Sequence, residues 1–118
     1  MNYFLFVKNQ TCTNFNDRSI LKNGYADTKK FIFTPCEPTN YFVGLNEKSI
    51  KIFDGNKKLI VTGYRIDAEP FDKNMTINYY LDFFAGGSFE INNDEAILTQ
   101  FGSGAPRVSV GKGILKKI

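Results

Sequence analysis

The sequence contains no histidine and no tryptophan, and only two cysteines. None of its apolar runs approaches the ~20 residues a helix needs to cross a bilayer. Each absence removes a class of chemistry. Without imidazole, the Ser-His-acid and Cys-His nucleophile systems are excluded, and so are His-ligated zinc sites. Two cysteines cannot fill a four-thiolate zinc site. The apolar opening Met1–Val7 has no basic segment before it and no small-residue cleavage site after it, so it reads as a strand and not as a signal peptide. These readings give an expected location in a virion or the cytoplasm, with no signal peptide, no transmembrane segment and no membrane insertion.

What is present is aromatic and β-branched. The 118 residues suit a single β domain spanning 1–118, and 12 Phe and 6 Tyr supply the large side chains of one modest core. Asn, Lys, Ile, Phe and Tyr all have A/T-rich codons, so richness in Asn or Lys alone carries no functional weight. The net charge of +3 is unevenly spread. Residues 1–60 hold nine Lys or Arg against five acids, residues 61–106 two against seven, and residues 107–118 four against none. Segregated charge of this kind favours polar contact with neighbouring subunits. A nucleic-acid footprint would be more basic and gathered on one face, so no nucleic acid is expected as a partner.

Short apolar runs closed by Asn, Gly or Asp mark strands and hairpins. Tyr3–Lys8 is apolar on both alternating faces, as in a strand covered on both sides. Residues 9–28 are polar and turn-rich; Asn23-Gly24 is a turn signal, and Asp17 is placed to cap one helical turn over Arg18–Lys22. A loop of that length is unusual in a small domain, so a hidden short strand or a packing arm is expected. Lys30–Thr34 and Tyr41–Leu45 are strands joined by the corner Pro35-Cys36-Glu37-Pro38. Ser49–Phe53, Asp54-Gly55-Asn56 and Lys58–Thr62 spell a hairpin. Tyr64, Ile66 and Ala68 alternate with Arg65, Asp67 and Glu69; Met75, Ile77, Tyr79, Leu81 and Phe83 alternate with Thr76, Asn78, Tyr80 and Asp82.

After Gly86-Gly87, Phe89 and Ile91 continue the period of two. Residues 93–101 suit a strand after an Asn93-Asp94 turn, with one short helix as the alternative. Arg107–Val110 and Gly113–Lys117 complete about eight or nine antiparallel strands. The pattern fits an all-β sandwich, jelly roll or small barrel, with the sandwich or jelly roll favoured. Cys12 and Cys36 either pair, closing a long polar loop, or stay free as small buried groups; the free state is favoured because nothing else signals an oxidising compartment.

Motif chemistry fails at specific positions. A calcium loop starting at Asp54 would place Leu59 where Gly is needed and Arg65 where Glu is needed. Gly102-Ser103-Gly104 is followed by Arg107 at the third glycine position of a dinucleotide loop, and Gly111-Lys112 lacks the rest of a phosphate loop. In an extended strand Arg65, Asp67 and Glu69 share one face about 7 Å apart, and with Asp72 they form the one acidic set worth weighing for acid–base or cation chemistry. A solvated strand face with a local ion pair is the simpler reading. Tyr80 and Phe84 sit on the polar side of their strand, where they offer stacking or docking surfaces.

The expectation is a non-enzymatic protein with no catalytic residues, no metal and no cofactor. It is a subunit of a homo- or hetero-oligomeric assembly, within that class a virion component (capsid-associated, penton, decoration or tail). Its contacts with partner subunits or ligand are assigned to Tyr80, Phe84, Arg65, Asp67 and Glu69. The alternative is a soluble module that binds carbohydrate or another ligand through the same surface aromatics.

Overall fold

A computed structural model describes residues 1–13, 21–22, 25–26, 33–66, 72–82, 85–102 and 107–118. Among them every regular element is a strand: β1 (Asn2–Thr13), β2 (Leu21–Lys22), β3 (Tyr25–Ala26), β4 (Phe33–Pro35), β5 (Tyr41–Leu45), β6 (Ser49–Phe53), β7 (Leu59–Arg65), β8 (Asn74–Asp82), β9 (Ala85–Asn92), β10 (Glu95–Gly102) and β11 (Arg107–Lys117). From β5 to β11 each strand pairs antiparallel with the next; β1 pairs with β5 on one edge and with β11 on the other. The result is a closed eight-stranded barrel. β4 adds to the end of β1, and β2 pairs only with β3, bracketing Asn23-Gly24.

Closure corrects the expectation of a sandwich or jelly roll. A strand apolar on both faces suggested a second covering layer, whereas here one sheet curls until its first and last strands meet, which removes both edges. The curl has local causes. The ladders skip Lys8 between β1 and β11, Ile60 between β6 and β7, and Leu81 between β8 and β9. Each extra residue is a β-bulge, which bends its strand and steepens the local twist.

Alternation then fills the barrel. Leu5, Val43, Ile50, Ile52, Ile77, Phe89 and Leu98 are fully buried, and Tyr3 packs edge-on against Phe89 with ring centroids 6.3 Å apart. The outer side of β1 is not covered: Phe6 is exposed, and Phe4 rests against its cross-strand neighbour Phe42 at 4.9 Å.

Several local expectations resolve. Residues 95–102 are strand β10, entered through a two-residue turn in which Asn93 adopts φ 57°, so the helical alternative is overturned. Leu21–Lys22 is a strand and not the end of a helical turn; the rest of that expected turn lies outside the described residues. The hairpin after Phe53 forms as read. Asp54 Oδ1 accepts from Asn56 N at 2.8 Å and from Lys58 N at 2.9 Å, so the carboxylate that opened the calcium-loop reading is engaged by its own turn. Residues 107–117 form one long strand where two short ones were expected.

Cys12 and Cys36 are joined as a disulfide, with Cα atoms 5.9 Å apart. The free state favoured from composition is thereby corrected. The pairing follows from β4 docking on β1, where Cys12 faces Thr34 and the chain turns back over Gln10. That contact is tertiary and leaves no trace in residue spacing.

Candidate functional site

The structure separates the residues that sequence reading grouped together. Tyr80 lies on the outer face of β8, about half exposed, beside its cross-strand partner Tyr64 with ring centroids 5.6 Å apart. Arg65 points the other way. It is buried, and its guanidinium donates to the Asn46 carbonyl oxygen at 3.0 Å, at the barrel end formed by the β5–β6 connection. At the end of β7 the outward residues are Tyr64 and, just past the strand, Ile66, the reverse of the face expected for a polar Arg65-Asp67-Glu69 row. The reversal has a steric reason. Position 63 faces inward against the Tyr79 ring, where a Cβ would stand 2.8 Å away and only glycine fits, and alternation places Arg65 on the same inward side. Asp67, Glu69 and Phe84 lie outside the described residues, and Asp72 is exposed beside Lys73 at the same end of the barrel as Arg65.

Tyr64 and Tyr80 belong to a longer row. Cross-strand register runs Tyr64, Tyr80, Gly86, Phe101 over β7 to β10, and Phe101 is also about half exposed. Gly86 is buried between Tyr80 and Phe101, packed so closely on the β8 backbone that a Cβ there would fall on the Tyr79 carbonyl oxygen. With Ile66, exposed just after β7, this row makes an apolar strip on one side of the barrel.

At the end of the barrel opposite Arg65, the core becomes polar. Gln10 Nε2 donates to Tyr41 Oη at 3.1 Å and to Ser109 Oγ at 2.8 Å, while Gln10 Oε1 accepts from Thr39 N at 2.7 Å. Tyr79 Oη donates to the Thr99 carbonyl oxygen at 3.2 Å. Burial, helped by the nearby Tyr41 phenol, pushes the Tyr79 pKa well above the ordinary tyrosine value. Burial also raises that of Tyr3.

Above this layer lies a cavity of about 220 Å³, lined by Val61, Tyr79, Leu81, Gln100, Phe101 and Ser109. It opens where β7 and β8, paired directly only at Tyr64–Tyr80 and Arg65–Tyr79 among the described residues, draw apart. Sequence reading missed Gln10, Tyr41, Gln100 and Ser109. The available signal was Gln100 following Ala96 and Leu98 at inward positions, a polar residue on a core face.

The Tyr79 environment makes a pH prediction. The fold favours the neutral phenol, so its folded pKa exceeds the unfolded value of about 10, and the folded state holds the proton longer. The associated stability is intact below that pH and declines as pH rises above it. Tyr79→Phe should cost about 1 kcal/mol at neutral pH through the lost bond to Thr99, and should flatten the decline. Urea midpoints measured from pH 7 to 11 test this; equal alkaline slopes in the two proteins would contradict it.

The chain matches no family model, no curated protein and no solved structure. Function therefore rests on the geometry alone.

Proposed function

We propose that this protein is a non-catalytic contact subunit, a rigid barrel whose outer surface docks other protein subunits. The observation that carries this reading is the row of exposed aromatics Tyr64, Tyr80 and Phe101, extended by Ile66, on a barrel whose interior is occupied by its own side chains. Aromatic side chains near the centre of a contact patch are the residues that most often dominate binding energy. Among the described residues, no three His, Cys, Asp or Glu side chains gather as a metal site would require. The Cys12–Cys36 disulfide supports work outside a reducing cytosol, in an extracellular, periplasmic or particle-surface setting. The narrower reading as a virion component leaned on a sandwich or jelly-roll architecture, and a closed barrel withdraws that support.

Sedimentation velocity over a range of concentrations tests the proposal. The unmodified protein should associate, and Tyr64→Glu/Tyr80→Glu should remain monomeric with an unchanged thermal midpoint, because both side chains point away from the core. Association that persists undiminished in the double variant, or a monomer at every concentration without it, would overturn the role given to this row.

A further inference from the structure

The cavity at the Gln10 end of the barrel, which meets the outer row at Gly86 and Phe101, carries a second inference. Gln100 and Ser109 are directly opposite each other on β10 and β11, both face inward, and both line the cavity. Gln100 Nε2 is buried and has no hydrogen-bond partner among the described residues. An amide hydrogen shut away from water without an acceptor is costly, and native proteins usually satisfy such groups with water or a ligand. Ser109 Oγ already accepts from Gln10 Nε2, so the serine hydrogen remains to be donated elsewhere. Gln10 is itself fixed by Tyr41 and Thr39, which leaves Ser109 little freedom to turn away. The other walls, Val61, Leu81, Phe101 and the Tyr79 ring, are apolar.

We propose that this end of the barrel binds a small, mainly apolar molecule bearing one carbonyl oxygen. The body of the molecule lies against Phe101, Leu81 and Val61, and the oxygen accepts from Ser109 Oγ–H and from the Gln100 carboxamide. The terminal torsion of glutamine is broad, so a small rotation turns the amide hydrogen toward the cavity. A volume of about 220 Å³ admits a single aromatic ring with a short substituent and nothing the size of an oligosaccharide or a peptide.

Acetophenone and ethylbenzene share this shape and differ in the carbonyl oxygen, so they serve as probes. Each is titrated into ¹⁵N-labelled full-length protein while backbone and side-chain amide resonances are followed by NMR. Acetophenone is expected to shift the Gln100 side-chain amide and the backbone amides of 99–102 and 108–110 saturably, and to bind about tenfold more tightly than ethylbenzene, the factor that one net hydrogen bond supplies. In Gln100→Leu, which exchanges an unpartnered amide for an apolar group of similar length, the protein should stay folded and bind the two probes with equal affinity. Ser109→Ala should narrow the difference in the same direction. The inference is overturned if neither probe saturates, if the two bind the unmodified protein equally, or if the shifts map to Tyr64 and Tyr80 instead. It is also overturned if the preference for acetophenone survives in Gln100→Leu.

Discussion

Gly113→Ala is expected to cripple the barrel, while the same change two residues earlier, Gly111→Ala, is expected to be tolerated. Gly113 sits where β1 and β11 close the sheet, opposite Val7 on one side and Ala96 on the other. A Cβ built there falls on the Phe6 carbonyl oxygen, 2.7 Å from the Phe6 carbonyl carbon and 2.8 Å from Val7 Cα. All three are backbone atoms, so no rotamer change relieves the overlap, and the closing strands must part. At Gly111 the nearest atoms are the two Val7 methyl groups at 3.4 Å, which can yield by a few tenths of an ångström. The cost should be on the order of 4 kcal/mol at position 113 and under about 1 kcal/mol at position 111. Against a total stability of roughly 5–15 kcal/mol, the first is enough to leave a large unfolded fraction. Urea unfolding followed by circular dichroism compares the two directly. Equal midpoints would mean that β1 does not approach β11 as closely as the register through Val7 requires.

The reason Gly113 is critical was not visible in the chain. Sequence reading broke the strand at Gly111-Lys112 and began a second one at Gly113, in keeping with the tendency of glycine to interrupt a strand. In the barrel both lie within one continuous strand, and at Gly113 the backbone of β1 comes too close to admit a Cβ. The same limit explains the wrong architecture. Alternation in Ser49–Phe53 and Met75–Phe83 was legible because side-chain direction is local, and it grouped the inward residues Ile50 and Ile52, and Ile77 and Tyr79, on one face of each strand. Whether those strands stack as two layers or close as one depends on bulges at Lys8, Ile60 and Leu81, which carry no local signature. The site divided in the same way. Tyr80 was legible as outward, whereas Arg65 was assigned to the solvent face because it alternates with the apolar Tyr64, Ile66 and Ala68, and the steric demand of the Tyr79 ring on Gly63 was invisible. Gln10 and Ser109 meet only because β1 pairs with β11, the longest-range ladder in the molecule.

The second large effect is expected on removal of the disulfide. Cys12 and Cys36 are 24 positions apart in the chain, and cross-linking a loop of that length restricts the unfolded ensemble by ~3 kcal/mol. Cys12→Ser/Cys36→Ser should lose stability of about that size. The loss arises in the unfolded state, so the folded barrel should persist in the variant: β1 keeps its pairing with β11 and β5, and the segment after β4 keeps two bonds to Gln10, Cys36 N to its carbonyl oxygen at 3.0 Å and Thr39 N to Oε1 at 2.7 Å. Hydrogen exchange separates the two contributions. Protection of the Leu5 and Ile77 amides should fall by the full change in global stability, because these residues open only with the barrel. Protection at Thr39 should fall no further than its own local opening allows. Preferential loss at residue 36 and Thr39, with the core amides unchanged, would instead make the disulfide a local clamp on the rim of the polar layer. An unchanged urea midpoint in the double serine variant would mean that the two thiols are not joined in the folded protein. In that case β4 would be held to β1 by its three ladder pairs and the hydrogen bonds that follow them to Gln10.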